Sequence, residues 1–361
     1  MAPFRQYIFT QSSVRSLCWR DDELVDWVSG GRAFALDGTE QIAKIMYADR
    51  FDSATASPDG RFAVIYERLG TKGLLVDDGK IVRELDRSRY KADAYEYPIA
   101  LFNGPNGRLL LAHCPKEHGR IELEEVETGR PLTASLERKP PDFFHSRLAA
   151  SPQGKRLLSA GWVWHPWGSV ICFDLARGLA DVCHFDHNDT VAAYSRHVGL
   201  AEEDSACWLD DDRILIGASG EPEDPEESRE TEAGLRLLPR GLAVYDLAHN
   251  KWLQAFQLDE PPGTLFALGS QHVLSLYRHP KLIDVSTGQV LHVWKELDSG
   301  FQDSSIVWGL KEHKKPPPMA FDPTRNRFAI ANGDTVTIIE FDVPALGSAK
   351  SGPESKIGYP A

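Results

Sequence analysis

The sequence predicts an all-β protein made of short antiparallel strands, and its most regular stretch shows why. Between His145 and Phe185, Pro and Gly interrupt the chain where tight antiparallel turns need them, and the runs between are apolar segments of strand length. The predicted strands cover residues 148–150, 156–160, 170–175 and 180–185, and the predicted turns cover residues 151–154 and 176–178. An aromatic segment separates the second strand from the third.

Two classes of turn alternate along the chain and define a repeat. In the first class an apolar residue and an acidic residue end a strand before a turn, at seven sites: 35–39, 75–79, 125–129, 172–175, 244–247, 282–285 and 340–343. The second class separates two apolar strands upstream of those sites: 20–23, 57–60, 104–107, 151–154, 210–212, 269–271 and 322–326. A spacing of roughly 40 to 60 residues between equivalent turns predicts the four-stranded antiparallel blades of a β-propeller.

Two short motifs carry a resemblance to a known family. Residues 57–62, with the sequence SPDGRF, match the turn often found between the first two strands of a WD40-like blade. At 173–174, 245–246 and 283–284 an aromatic or aliphatic residue precedes Asp, where that family places its Trp-Asp dipeptide. The chain therefore resembles the WD40-like propellers over nearly its whole length, which implies a closed ring of seven blades.

Seven blades account for residues 1–346 as a single propeller. We place them at about 14–47, 51–86, 97–137, 145–186, 203–258, 264–296 and 316–343. The last blade has three clear strands, while residues 4–10 form an N-terminal strand without a partner of its own. We predict that this strand closes blade seven, because closure removes the exposed sheet edges of an open array. Residues 347–361 have little to bury, and we expect a disordered tail.

The charge of the chain argues against one class of function. Lys and Arg total 40 against 53 Asp and Glu, which gives a formal net charge of −13. General nucleic-acid binding rests on a cationic face, so we expect no nucleic-acid partner. The same charge permits electrostatic steering of a basic protein partner.

No segment of the sequence predicts export or membrane insertion. The first ten residues lack the cationic start, apolar run and cleavage site of a signal peptide. No apolar run approaches the ~20 residues of a membrane-spanning helix, so we expect no membrane contact. Five cysteines without a CxxC pair are typical of buried free thiols in a reducing compartment. We therefore expect a cytoplasmic protein that is a monomer by itself.

The most unusual short segment is GWVWHPWG at residues 161–168. Its side chains Trp162, Trp164, His165 and Trp167 predict a contact platform, since exposed aromatic residues contribute much of the binding energy at interfaces. Alternation along a strand also places Trp162 and Trp164 on one face, where they would fill space between blades. The sequence leaves both interpretations open.

An acidic insertion lengthens the connection between the second and third strands of blade five. Residues 221–232 carry seven acids and one Arg. The acids that we expect to contact a partner are Glu223, Asp224, Glu226, Glu227 and Glu230. A flexible solvated loop is the alternative. Because the aromatic segment occupies the same connection of blade four, we expect both on one face, where they would favour fast association with a cationic partner.

We find no motif for catalysis, metal binding or a cofactor. Residues 184–189 hold two His and two Asp but lack a third imidazole at a recognisable spacing, so we interpret them as a solvated connector. Three consecutive Asp at 210–212 fit a turn better than a calcium loop. The nucleophile motif GxSxG and the glycine-rich phosphate loops are absent. We expect neither a metal nor a cofactor, and no enzyme activity.

These observations favour a non-catalytic protein-binding propeller. Within that class we favour an immunity-type protein that neutralises a basic toxin or nuclease, a step made by analogy because propellers host many functions. Two alternatives stay open. One is a propeller hydrolase or lyase with its site at the mouth of the central channel, and the other is a small-molecule sensor that stacks a ring on the Trp-rich segment.

Overall fold

Seven small antiparallel sheets follow one another along the chain. The structure, a computed structural model, describes residues 3–43, 45–47, 50–135, 137–164, 167–186, 201–220, 235, 237–307 and 315–348. Over these residues there are 27 β-strands, two short α-helices and one 3-10 helix. The predicted seven-bladed β-propeller is confirmed.

The first half of the chain forms an N-terminal strand and four blades. The N-terminal strand, β1 (Phe4–Thr10), precedes blade one, which consists of β2 (Cys18–Arg20), β3 (Glu23–Asp26), β4 (Arg32–Ala35) and β5 (Glu40–Gln41). Blade two consists of β6 (Ser53–Ala56), β7 (Phe62–Tyr66), β8 (Lys72–Asp77) and β9 (Lys80–Asp86). Blade three consists of β10 (Ile99–Asn103), β11 (Leu109–His113) and β12 (Glu122–Glu125). Blade four consists of β13 (Phe143–Phe144), β14 (Leu148–Ala150), β15 (Arg156–Val163), β16 (Trp167–Asp174), α1 (Leu175–Ala180) and a 3-10 helix (Val182–Asp186).

The remaining strands complete the ring. Blade five consists of β17 (Ser205–Trp208), β18 (Arg213–Gly217), β19 (Gly241–Asp246) and β20 (Lys251–Gln257). Blade six consists of β21 (Thr264–Leu268), β22 (His272–Tyr277), β23 (His279–Asp284) and β24 (Val290–Val293). Blade seven consists of β25 (Met319–Asp322), β26 (Arg327–Asn332) and β27 (Thr335–Phe341), followed by α2 (Val343–Ser348).

The ring closes through the N-terminal strand, as predicted. β1 pairs antiparallel with β27 in a register that runs from Phe4 opposite Phe341 to Thr10 opposite Thr335, so blade seven has the order β1-β27-β26-β25. Inner strands of neighbouring blades contact one another, for example β2 with β6, β17 with β21 and, where the ring closes, β2 with β25. The first strand of each blade therefore lines the central channel, and the fourth lies at the outside.

Two blades depart from the four-strand prediction. Residues 176–178 and 180–185, predicted as a turn and a strand, belong to α1 and the 3-10 helix. The helix forms because the Asp174 side chain accepts a hydrogen bond from the Arg177 amide at 2.9 Å and so caps its first turn. Blade three has three strands, and its fourth is reduced to a single bridge between Glu124 and Pro131.

Strand alternation explains how the blades pack. In β7, Ala63 and Ile65 join a buried cluster with blade one, while Phe62 and Val64 join a cluster with blade three. Seven such clusters fill the spaces between neighbouring blades. Both faces of the inner strands are covered, which accounts for their continuous apolar runs. The five cysteines are free, and four of them are buried in strands or beside them.

The two ends of the ring differ in their connections. The turn face carries the connections between strands one and two and between strands three and four of each blade, for example residues 57–61 and 78–79 of blade two. The loop face carries the connections between strands two and three and the connectors between blades. Because successive strands run in opposite directions, every connection of one class lies at the same end.

Tight turns shape the turn face. The Ser57 hydroxyl accepts a hydrogen bond from the Phe62 amide at 3.0 Å, and the Gly60 amide donates to the Ser57 carbonyl at 2.8 Å. Gly60 has φ +70°, and a Cβ there would lie 2.6 Å from the Cβ of Arg20 in blade one, so the turn requires glycine. The predicted turn at 210–212 is also observed, with the Asp210 carboxylate accepting from the Asp212 amide at 3.0 Å.

Ion pairs on the turn face join neighbouring blades. They are Arg20 with Asp78, Arg61 with Glu127, Lys155 with Asp211, Arg156 with Asp212, Arg325 with Asp21, and Arg327 with Asp22. Arg327, whose side chain is 1% exposed, also pairs with Asp322 at 3.0 Å within its own blade. Its guanidinium lies 3.9 Å from the ring centroid of Trp19. This buried arginine links blade seven to blade one.

Candidate functional site

A stack of aromatic rings lies under the loop face at blades three and four. The Phe144 ring lies between Trp162, with ring centroids 3.8 Å apart, and His118, at 4.1 Å. Tyr95 meets both Phe144 and Trp162 edge-on. Trp162 is 2% exposed. The packing interpretation therefore accounts for Trp162, and its contact with a partner stays a prediction.

The exposed end of the stack lies two residues further along the chain. Trp164 is 42% exposed and Tyr90 is 52% exposed, with ring centroids 6.5 Å apart and planes inclined by 21°. Both rings lie against Phe144, at 6.2 and 5.9 Å. The Lys91 ammonium lies 5.5 Å from the Trp164 ring centroid. We call Tyr90 and Trp164 together the aromatic platform.

The hairpin of β15 and β16 positions the platform. Pairing continues to Val163 opposite Trp167, so most of the segment predicted as a loop is strand, and Trp167 is half-buried. β13 pairs with the end of β15 and brings Phe144 opposite Trp162. That approach needs Gly161, because a Cβ there would lie 2.1 Å from the Phe144 carbonyl oxygen. His165 lies outside the described residues, and the partner contacts of Trp164, His165 and Trp167 stay predictions.

The connection whose sequence contains the acidic insertion begins and ends at the same face. It joins β18 to β19, the second and third strands of blade five, as the aromatic turn joins β15 to β16 in blade four. Leu237, which lies after the insertion and before β19, is buried in the cluster between these two blades. The acids predicted to contact a partner, Glu223, Asp224, Glu226, Glu227 and Glu230, lie outside the described residues, and their role stays a prediction.

Two buried carboxyl groups anchor this part of the loop face. Glu203 accepts a hydrogen bond from the Val170 amide at 2.8 Å, and Asp204 accepts one from the Ser219 amide at 2.9 Å. Burial raises the pKa of Glu203 and of Asp204 to about 7. An exposed carboxyl group has a pKa of about 4, so the protonation of this pair is linked to folding between these values.

The connector from blade six to blade seven crosses the loop face, a feature that the repeat pattern did not predict. We call residues 298–307 the strap. At its start, the Ser299 amide donates to the Arg278 carbonyl at 2.8 Å, in blade six. At its end, Ile306 forms an antiparallel bridge with Tyr95, which precedes the first strand of blade three. Blades three and six lie on opposite sides of a seven-membered ring, so the strap spans the mouth of the channel.

A charged network holds the middle of the strap. The Glu96 carboxylate pairs with Arg68 at 3.0 Å and with Arg147 at 2.9 Å. Gln302 of the strap donates to Glu96 and accepts from Arg68, and Arg147 donates to the Ser304 carbonyl at 2.8 Å. Burial alone would raise the pKa of Glu96, but Arg147 and Arg68 hold it below its usual value. The network therefore contains an ionised carboxylate shared by two arginines.

The strap also presents a third exposed aromatic ring. Phe301 is 51% exposed, and its ring centroid lies 6.3 Å from that of Tyr277. The Arg278 guanidinium lies 5.7 Å from both rings. The one sequence signal for this feature is the length of the connector, since residues 294–318 separate β24 from β25.

The His and Asp segment at 184–189 serves packing where it is described. Asp186 forms a buried ion pair with Arg138 at 2.7 Å, and His184 is buried, so the solvated-connector interpretation is wrong for these residues. Among the described residues, no three His, Cys, Asp or Glu side chains come together as metal ligands. Within the same part of the chain, neither helix has the length and apolar character needed to cross a membrane.

Comparison with known proteins finds a similar fold in a solved structure. No family model matches the chain, and no curated protein matches it. A similar solved structure is a chain in the crystal structure of the mitotic checkpoint complex, which is 11% identical. It superposes with a TM-score of 0.55 and covers 92% of this chain and 90% of its own length. At this identity the likeness concerns the fold, and the resemblance to WD40-like propellers is confirmed at that level.

Proposed function

We propose that this propeller is a non-catalytic protein-binding module that holds its partner on the loop face. The observation that carries the proposal is the placement of exposed aromatic rings. Among the described residues the exposed Trp, Tyr and Phe side chains are Tyr90, Trp164 and Phe301, and all three belong to loop-face connections. Aromatic side chains are enriched among the residues that contribute most of the binding energy at protein interfaces, and here all three lie on one face of the ring.

The proposed partner is basic. The net charge of −13 supports this, as do the seven acids of residues 221–232, which fall in the sequence between β18 and β19 of blade five. Cationic side chains of a partner can also lie over exposed aromatic rings, as Lys91 does over Trp164. Within this class, the role that we propose is the neutralisation of a basic toxin or nuclease.

The site is tested by capture of the partner from native lysate on the tagged protein, with mass spectrometry of the retained proteins. A variant with Tyr90, Trp164 and Phe301 replaced by Ala is expected to lose the partner. Its matched control replaces three exposed aliphatic residues of outer strands, Ile8, Ile81 and Leu291, and is expected to keep it. Equal capture by both variants would show that the partner does not bind through these loop-face rings.

The charge component is tested separately with the purified partner. Replacing Glu223, Asp224, Glu226, Glu227 and Glu230 by their amides is expected to slow association by about tenfold at low salt, with a smaller change in dissociation. Amide replacements at the exposed turn-face acids Asp37, Asp59 and Glu127 serve as the control. If the association rate and the affinity did not change with ionic strength, the proposal that the partner is basic would be wrong.

A further inference from the structure

The strap differs in composition from the structure that it covers. Its buried side chains are mostly small and polar, with Ser299, Gln302, Ser304 and Ser305 below 9% exposure, while Phe301 is exposed. Its apolar contribution comes from its last two residues: Val307 is buried, and Ile306 joins an apolar cluster as a partly buried member beside Tyr95, Phe144 and Trp162. The blades, by contrast, are held by apolar clusters of eight or more buried residues. Little apolar surface therefore holds the strap in place.

Polar contacts hold the strap instead, and water can replace them. Two backbone hydrogen bonds flank the bridge to blade three, from the Glu96 amide to the Ser305 carbonyl at 3.1 Å and from the Val307 amide to the Ala94 carbonyl at 2.8 Å. At the start of the strap, the Arg278 amide donates to the Gly300 carbonyl, and the Asp298 backbone exchanges two hydrogen bonds with the Asn332 side chain of blade seven. In its middle, Gln302 and strap carbonyls contact Arg68, Glu96 and Arg147. Each such bond contributes only a small part of its gross energy to stability, because the separated groups hydrogen-bond to water.

The charged side chains under the strap stay paired when the strap opens. Glu96 keeps its ion pairs with Arg68 and Arg147, neither of which belongs to the strap. Arg147 also keeps a hydrogen bond to the Asp204 carbonyl at 3.3 Å. Opening the strap therefore leaves no isolated buried charge, which is the usual obstacle to separating a charged contact.

From these contacts we propose that the strap is a lid over the loop-face mouth of the channel, and that it opens while the seven blades stay folded. The closed lid presents Phe301 on a continuous loop face. The open lid exposes a charged mouth formed by Arg68, Glu96 and Arg147 at the ends of blades two, three and four. The lid thus gives one propeller two alternative loop-face surfaces.

Native-state hydrogen exchange of the full chain tests the lid. The Glu96 and Val307 amides report on the strap, and the Val64 and Leu75 amides, within the paired strands β7 and β8, report on the blades. The strap amides are expected to exchange at least about tenfold faster, with rates that hardly change in low urea, because local opening exposes little surface. Strap and blade amides with equal rates and equal urea dependence would overturn the lid.

Two variants sharpen this test. Gln302→Ala removes the strap side chain that joins Arg68 and Glu96, and it is expected to speed exchange at Glu96 and Val307 by roughly a further tenfold. Gln289→Ala, at an exposed position of the turn face, is the matched control and is expected to change nothing. The Val64 and Leu75 amides show in each variant that the blades remain folded. Unchanged strap exchange in Gln302→Ala would also contradict the proposal.

Discussion

The turn face and the loop face of this ring are stabilised in different ways. On the turn face, short turns bring charged side chains of neighbouring blades together. The buried Arg327 pairs with Asp322 in its own blade and also with the exposed Asp22 of blade one. On the loop face, connectors are long, the buried carboxyl groups Glu203 and Asp204 have raised pKa values near 7, and aromatic rings remain exposed.

This difference assigns separate tasks to the two ends of one scaffold. Contacts on the turn face fix each blade against the next, so substitutions there act on stability. Binding residues are disproportionately found on loops that a rigid scaffold positions, and the loop face of this propeller has that arrangement. The following predictions test the comparison, in order of the expected effect.

The largest effect is expected within the aromatic stack. Trp162→Ala removes a buried ring that contacts both Phe144 and Tyr95, and it should lower the free energy of unfolding by about 3–5 kcal/mol. Trp164→Ala, two residues away at an exposed position, should lower it by less than about 1 kcal/mol. Urea unfolding measures both. Equal losses would show that the stack does not divide into a buried and an exposed part.

The next effect is expected at the junction of blades seven and one. Arg327→Met leaves Asp322 buried without its nearest cation and should lower the free energy of unfolding by about 3 kcal/mol. Arg325→Met is the matched control, because Arg325 pairs with the same acids from a side chain that is 43% exposed. Exposed pairs contribute about 0–1 kcal/mol. A loss at Arg325 as large as that at Arg327 would contradict the buried junction.

The smallest effect is a pH dependence of stability on the loop face. Because the pKa of Glu203 is raised to about 7, the folded protein binds a proton there that the unfolded chain has released above about pH 4. This group therefore lowers stability as the pH rises from about 4 to 7. Glu203→Gln removes the titrating carboxyl group, so its stability relative to the parent should rise with pH across that window and level off above about pH 7.

The measurement is the difference in unfolding free energy between variant and parent at each pH. His145 also makes stability depend on pH: burial lowers its pKa to about 3, so it destabilises the fold as the pH falls below about 6.5. This effect is the same in variant and parent and cancels in the difference. Glu127→Gln, an exposed carboxyl on the turn face, is the control and should follow the parent. A difference for Glu203→Gln that stays constant with pH would contradict the buried proton.

Local patterns in the sequence were sufficient for the ring and its closure. Turn residues such as those at 57–60 recur at regular spacing, and the unpaired strand at 4–10 matched a blade that lacked one. The helix at 175–180 was not recognised, because Gly178 within it suggested a turn. In the fold Gly178 packs against Phe185, where a Cβ would lie 2.4 Å from the ring, so packing selects the glycine.

The candidate site depends on contacts that local patterns do not record. Alternation alone could not decide between Trp162 and Trp164, because the Phe144 ring that buries Trp162 comes from a strand ahead of the hairpin. The strap depends on Gln302 meeting Arg68, which is 234 residues away. Such pairings follow from the closed ring, so they emerge only once the blades are assembled.

The pairing of β1 with β27 has a consequence for synthesis. The Tyr7 hydroxyl donates to Glu340 at 3.0 Å, across 333 residues, so β1 leaves the ribosome long before the strand that will pair with it. Until then blade seven lacks an outer strand and β1 is an unpaired edge, which is a template for aggregation. Pairing of β1 with β27 therefore both completes blade seven and covers an edge that could aggregate. A chain truncated before β27 cannot form this pair.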